Sequence, residues 1–169
     1  VIENIDGKLA TLAQDMIETM FNASGGGLAA NQVGVLNRLI VVDLAIKTEK
    51  KDPIVIINPE ITAMEEEAIA EVGWLSIPDL FAEVKRSKKI ELKGVDINGK
   101  DIRIEAEDFL ARVLQHELDH LNGILFWDKL GKVKRDVLKR KFKKLLKEAA
   151  YQWKSSTWEH PGFLSQRLR

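Results

Sequence analysis

The stretch that decides the fold is Gln115-His116-Glu117-Leu118-Asp119-His120-Leu121-Asn122-Gly123, the end of a helix that is predicted to begin at Asp108. His116 and His120 stand four residues apart, so both imidazoles project from one helical face, about one turn apart. That spacing lets two ring nitrogens reach one divalent cation at roughly 2.0–2.1 Å each. Glu117 lies between them and can take a proton from a water that attacks a carbonyl carbon beside the metal. The stretch therefore indicates a metal-dependent hydrolase.

The surroundings of this motif favour a functional site over a chance match on a surface helix. Val113, Leu114 and Leu118 place apolar residues around the histidines, so the helix is expected to be central. Burying two histidines and a glutamate is costly without a metal or a strong polar network. No metzincin-type third histidine follows, and Asp136 and Glu148 do not lie in a thermolysin-like segment. The third protein ligand must therefore come from elsewhere.

The composition is that of an ordinary soluble globular protein, with 45% hydrophobic and 31% charged residues. Lys plus Arg and Asp plus Glu each total 26, so the net charge is zero and DNA is not expected as a partner. The absence of cysteine excludes disulfides, zinc ribbons and thiol nucleophiles. No apolar run is long enough to span a membrane, and residues 1–4 do not begin a signal peptide. We expect a cytoplasmic protein, or one of an organelle descended from a bacterium.

Hydrophobic periodicity predicts the elements of the first half. Asp6 is expected to cap a helix in which apolar residues recur at three and four between residues 9 and 21. The glycines at 25–27 predict a loop of unusual backbone freedom. Residues 39–42 and 54–57 read as buried strands, the second closed by Asn58-Pro59.

The second half is predicted to hold three more strands and two helices. The strands are expected at 81–84, 90–97 and 102–106, with Asn98-Gly99 as a hairpin turn. Asp108 is expected to cap the helix with the two histidines, and Asn122-Gly123 to stop it. A third helix covers roughly 132–149. Strands followed by helices that pack on them indicate an α+β domain over residues 1–149, and residues 150–169 form an extension of unknown role.

Two further motifs make the chain resemble the peptide deformylase family. Gly25-Gly26-Gly27-Leu28-Ala29-Ala30-Asn31-Gln32 matches the first signature of that family, Gly-x-Gly-Leu-Ala-Ala-x-Gln, and residues 115–126, which contain the two histidines, match its third signature. Gly73-Trp74-Leu75-Ser76 stands where the family has Gly-Cys-Leu-Ser. Three motifs in the right order, within about residues 1–148, are far more specific than any one of them.

The resemblance implies a deformylase-like fold: mixed, mostly antiparallel sheets around the central helix, plus a C-terminal helix. It implies an enzyme that removes the formyl group from the N-formyl-methionine of nascent polypeptides. His116 and His120 would be metal ligands, and Glu117 the general base and acid. The Gln32 side-chain amide and the Leu75 backbone N–H would stabilise the oxyanion. The implied metal is Fe²⁺, or Zn²⁺ or Ni²⁺ in its place.

The same resemblance implies where the substrate binds. A glycine segment would let an extended peptide approach and pair as an added strand. Its residues are Gly25, Gly26 and Gly27. The methionine pocket would be lined by Gly26, Phe109, Arg112 and Val113, with the Arg112 charge reaching solvent.

One departure from the family pattern affects the metal. Trp74 stands in place of the ligand cysteine, and Val72 in place of a glutamate. Indole offers an N–H donor and no available lone pair, so the metal is expected to be weakly bound or absent. Three interpretations stay open: an inactive homologue that binds peptides or ribosomes, a weak hydrolase with Glu71 or water as substitute ligand, or an engineered or erroneous Trp74.

The segment 132–147 is strongly basic, with nine Lys or Arg and one acidic residue, Asp136. One interpretation is a solvated helix face with an apolar stripe on the core. The other, which the resemblance implies, is docking to the ribosome through RNA.

Overall fold

The computed structural model describes residues 1–46, 48, 50–74 and 77–156; of residues 70–74, 77–82, 126, 146 and 149–156 it describes the backbone alone. The chain divides into two compact units, Val1–Lys129 and a second from Leu130 onward. The first unit contains the sheet, two long helices and both histidines of the motif.

The sheet of the first unit has five antiparallel strands in chain order. They are β1 (Gly27–Ala29), β2 (Leu39–Asp43), β3 (Pro53–Trp74), β4 (Ile77–Val95) and β5 (Asp101–Glu107). Each strand pairs with the next, so β1 and β5 are the two edges. Together with the helices, this sheet confirms the predicted α+β class.

The predicted end of a strand at Asn58-Pro59 is wrong, because β3 continues to Trp74. Asn58 adopts a left-handed φ of 50°, which asparagine tolerates, and Pro59 lacks an N–H donor. The pairing with β4 shifts register between Ile57 and Glu60, so a bulge accommodates both residues. Segments 81–84 and 90–97, predicted as separate strands, form one strand that ends at Val95.

Helix α1 (Gly7–Asn22) begins as predicted. The Asp6 carboxylate accepts a hydrogen bond from the Leu9 backbone N–H at 2.9 Å, which caps the first turn. The buried side chains of α1 pack on the face of β2 that carries Leu39 and Val41.

Helix α2 (Asp108–Leu121) packs on the other face of β2, which carries Ile40 and Val42. The prediction that Asp108 caps this helix is wrong: the cap is Glu107, without a side-chain hydrogen bond, and Asp108 is the first helical residue. The predicted stop is confirmed, because Asn122 is the C-cap and Gly123 follows with φ 70°.

Short 3₁₀ helices cover Ala30–Val33 and Phe126–Lys129. The second unit contains helix α3 (Lys132–Ser156), which runs past its predicted end at residue 149. Among the described residues, no helix combines the length and the apolar character that crossing a membrane requires.

Candidate active site

The two histidines of α2 converge on one point. The Nε2 atoms of His116 and His120 are 3.1 Å apart, and the rings meet edge to face with centroids 4.7 Å apart. Two nitrogens that each lie about 2.0–2.1 Å from one ion at a tetrahedral angle are themselves about 3.3 Å apart. The pair therefore has the geometry of two ligands to a single metal.

Both imidazoles are held in their neutral form, which is the form that binds metals. Burial lowers the pKa of His116 to about 3, with further lowering from the neighbouring His120, Arg86 and Lys129. Burial also lowers the pKa of His120, against the opposing effect of the adjacent Asp119 carboxylate.

Glu117 is a buried carboxyl group with an unused oxygen. The residue is 4% exposed, and burial raises its pKa to about 8. Its Oε2 has no hydrogen-bond partner within the described part of the chain. An orphaned buried carboxyl on the same helix as two converging imidazoles fits a bound cation, whose charge would stabilise the ionised form.

The third ligand is not provided by the side chains that the structure describes. Within them, no group of three or more His, Cys, Asp or Glu side chains is arranged to hold a metal. The backbone of Trp74 ends β3, opposite Ile77, and that of Glu71 lies opposite Glu83. The side chains of Trp74 and Glu71 lie outside the described residues.

Gly27 brings strand β1 against the helix that carries the histidines. A Cβ atom at Gly27 would lie 2.7 Å from Oε1 of Glu117 and 2.9 Å from a methyl group of Val113. The predicted loop is wrong at Gly27, which lies in β1, and none of Gly25, Gly26 and Gly27 has a positive φ. Gly27 is required because a backbone without a side chain approaches Glu117 closely.

The turn after β1 orients Gln32. Its side-chain Oε1 accepts a hydrogen bond from the Ala29 backbone N–H at 2.9 Å, which leaves the amide NH₂ as a donor on an exposed side chain. The preceding residue, Asn31, donates from its side chain to the backbone carbonyl of His120. The turn with Gln32 is thus attached to the histidine helix. Leu75, the other expected oxyanion donor, lies outside the described residues.

The expected pocket residues form two local groups. A Cβ at Gly26 would lie 3.6 Å from Val113, while the Arg112 guanidinium lies over the Phe109 ring at 5.3 Å. Arg112 also lines a cavity of about 150 Å³. Gly25 donates its backbone N–H to the Met20 carbonyl at 2.9 Å, after the end of α1.

A buried polar network behind the histidines was not foreseen from the sequence. Asp119 forms ion pairs with Arg86 and, at 2.9 Å, with Lys129. Gln115 exchanges two hydrogen bonds with the Ser87 backbone, at 2.8 and 3.0 Å. The sequence feature that could have indicated it is Arg86. In β4 it stands two residues after Val84, so both side chains point to the same buried face, where a cation needs an acidic partner.

Comparisons with known proteins agree with this architecture. Residues 1–136 match the model of the family described as polypeptide deformylase. A peptide deformylase of Thermodesulfovibrio yellowstonii is 53% identical over 142 residues, which cover 84% of this chain and 86% of that protein. The crystal structure of a peptide deformylase from Legionella pneumophila superimposes with a TM-score of 0.79 at 43% identity, covering 88% of this chain and 87% of that one.

A further solved structure is the peptide deformylase from Ehrlichia chaffeensis in complex with actinonin. It has a TM-score of 0.77 and 40% identity, and covers 85% of this chain and 86% of that one. These matches, together with the α+β fold and the site on α2, place the protein in the class of metallohydrolases. The chain belongs to the polypeptide deformylase family, whose members act on nascent formyl-methionyl peptides.

Proposed function

We propose that this chain removes the formyl group from N-formyl-methionyl peptides, with His116 and His120 holding a divalent metal ion and Glu117 moving the proton. Two observations carry the proposal: the 3.1 Å approach of the two Nε2 atoms, and the buried, unpartnered oxygen of Glu117 on the same helix.

The residues of the chain divide the chemistry between them. A bound ion supplies positive charge that favours ionisation of water and polarises the formyl carbonyl. Glu117 would take a proton from the attacking water and deliver it to the departing amine. Because burial raises its pKa to about 8, the positive charge of the ion would be needed to keep the carboxylate ionised as the base. The C–N bond breaks, and formate and a free α-amine leave. The Gln32 amide and the Leu75 N–H would donate to the oxygen that becomes negative.

The peptide would bind along the edge strand β1. The outer side of Gly27–Ala29 is the sheet edge, where an extended peptide can add as a further strand. Gly27 lies against Glu117, so a peptide on this edge would present its first residue beside the carboxyl. Gly26, Phe109, Arg112 and Val113 would then contact the methionine side chain.

Formate release tests the proposal directly. Purified protein supplied with Fe²⁺, Zn²⁺ or Ni²⁺ should release formate from a formyl-Met peptide, and Glu117→Gln should reduce the rate about 10²–10⁴-fold. Absence of formate with every metal would refute catalysis. If actinonin then still raised the melting temperature, as ligand binding does, the chain would be an inactive homologue that retains the peptide site.

Trp74 bears on the strength of metal binding rather than on the identity of the site. We propose that the two histidines hold Fe²⁺, Zn²⁺ or Ni²⁺, which all accept imidazole, with water or Glu71 as substitute ligand. Trp74→Cys should tighten metal binding by about 100-fold or more, because a thiolate adds a ligand and neutralises charge. Trp74→Ser is the control, since it removes the indole bulk without adding a thiolate. Equal affinities in the two variants would contradict this role for position 74.

We propose that α3 docks on ribosomal RNA in the cytoplasm, where nascent formyl-methionyl chains are made. Lys139, Arg140 and Lys143 lie together on this helix, beside Asp136, and such a cluster favours polyanions. Replacing the three cations by Glu should abolish salt-sensitive co-sedimentation with ribosomes, while formate release from a free peptide stays unchanged. Co-sedimentation that persists in the triple variant would exclude this surface.

A further inference from the structure

The side chain of Asn31 joins two parts of the candidate site that are far apart in sequence. Its Nδ2 donates a hydrogen bond to the backbone carbonyl of His120, 89 positions further along the chain. Asn31 directly precedes Gln32 in the 3₁₀ helix Ala30–Val33. One amide therefore connects the turn of the proposed oxyanion donor to a proposed metal ligand.

The fold does not need this hydrogen bond to satisfy the end of α2. The last carbonyls of a helix lack partners within the helix, but the His120 carbonyl also accepts the Gly123 backbone N–H at 3.0 Å. The Oδ1 of Asn31 is buried and has no partner among the described residues. A buried unpaired acceptor costs stability, which offsets part of what the hydrogen bond from Nδ2 contributes. The amide is thus better explained by orientation than by stability.

The turn around Asn31 is internally fixed, so its position determines that of Gln32. The Ala29 N–H donates to Oε1 of Gln32 at 2.9 Å, and the Val35 N–H donates to the Ala30 carbonyl at 3.0 Å. A movement of the turn relative to α2 would therefore move the Gln32 amide relative to His120.

We propose that Asn31 is a positioning residue that sets His120 relative to Gln32. The proposal rests on the proposed function and deepens it, because it names what aligns the metal ligand with the oxyanion donor. Removing a contact to a residue that holds a metal commonly lowers metal affinity or activity about 10–100-fold.

The test compares Asn31→Ala with Asn58→Ala as a matched control. The Asn58 amide also bonds a distant backbone: Nδ2 donates to the Ile2 carbonyl at 2.8 Å, and Oδ1 accepts the Ile2 N–H at 2.9 Å. Because Asn58 has φ 50°, alanine there adds backbone strain to the two lost hydrogen bonds. The control should therefore lose at least as much unfolding free energy as Asn31→Ala.

Two measurements decide the outcome. In the metal-free protein, the imidazole NMR signals of His120 should shift or broaden in Asn31→Ala and match the wild type in Asn58→Ala. In the metal-loaded protein, kcat should fall about 10-fold or more in Asn31→Ala, with a smaller change in KM. Asn31→Ser, which keeps a shorter donor, should lie between the wild type and Asn31→Ala.

Unchanged His120 signals in Asn31→Ala would overturn the proposal, and so would an equal loss of kcat in Asn58→Ala. If the wild type released no formate while the His120 signals still moved in Asn31→Ala alone, the proposed function would fail and the positioning contact would stand.

Discussion

The two long helices on opposite faces of β2 differ in what they bury. The buried residues of α1 are all apolar: Leu9, Ala13, Met16 and Met20. Those of α2 include four polar or charged residues: Gln115, Glu117, Asp119 and His120. Burying polar groups is unfavourable unless they find partners. The difference separates a helix that serves packing from one that also carries chemical groups.

The buried polar residues of α2 differ in whether they have hydrogen-bond or ion-pair partners. Gln115 bonds the Ser87 backbone and Asp119 pairs with Arg86, so both attach α2 to β4. Glu117 has an oxygen that bonds nothing among the described residues. The helix thus contains polar groups that attach it to the sheet, and one carboxyl group, that of Glu117, whose burial packing does not explain.

The largest expected loss of stability lies in α1. Met16 is 1% exposed, and Met16→Ala should lower the unfolding free energy by about 3–4 kcal/mol, because it removes apolar contacts and leaves a cavity. Metal affinity and formate release per folded molecule should stay at wild-type values. Denaturant titration and kinetics check this. A fall in metal affinity would contradict the distinction between α1, which serves packing, and α2, which carries the site.

A slightly smaller loss is expected behind α2. Arg86→Met removes a buried cation and should cost about 3 kcal/mol, the lower end for a broken buried pair, because Lys129 still faces Asp119. Unlike Met16→Ala, it should also weaken metal binding, since Asp119 adjoins His120. The double variant Arg86→Met/Asp119→Leu should recover most of the stability in thermal unfolding. A double variant less stable than the single one would show that Asp119 stabilises the fold mainly through Lys129.

The close approach of β1 to α2 predicts a third effect. Gly27→Ala places a methyl group 2.7 Å from Glu117 and should cost about 2 kcal/mol, together with most of the formate release. Gly26→Ala is the control, because its nearest contact is the flexible end of Ile46 at 3.2 Å. Unfolding measured on both variants should separate them, and it is the comparison that decides, because Gly26 also belongs to the proposed methionine pocket; equal losses of unfolding free energy would contradict the close approach.

The smallest effect distinguishes the starts of the helices. Asp6→Ala removes the cap of α1 and should cost about 1 kcal/mol. Glu107→Ala at the start of α2 should cost under about 0.5 kcal/mol, because its side chain makes no cap hydrogen bond and its ion pair with Lys89 is exposed. Guanidinium unfolding of the two variants measures the difference. A larger loss of unfolding free energy in Glu107→Ala than in Asp6→Ala would contradict the assignment of the side-chain cap to α1.

Elements with strong local signals were predictable from the sequence. Asp6 before an apolar period gave the start of α1, and Asn122-Gly123 gave the end of α2. The spacing of His116 and His120 sufficed to place both rings on one face, because the geometry of a helix is regular. The class α+β and the convergence of the histidines followed from such local rules.

Features that depend on tertiary contacts were not predictable in the same way. A Pro59 that usually ends a strand is accommodated by a bulge that requires the partner strand β4. The need for Gly27 comes from Glu117, which is 90 positions away in sequence. The pairing of Arg86 with Asp119 likewise joins two elements whose contact only the folded chain defines.

The most direct test of the central claim is a calorimetric titration of the metal-free protein with Zn²⁺. We expect one ion per chain in the wild type and an affinity at least about 100-fold weaker in both His116→Ala and His120→Ala, because each removes one of two convergent nitrogens. No binding by the wild type, or wild-type affinity in both variants, would contradict the metal site on α2.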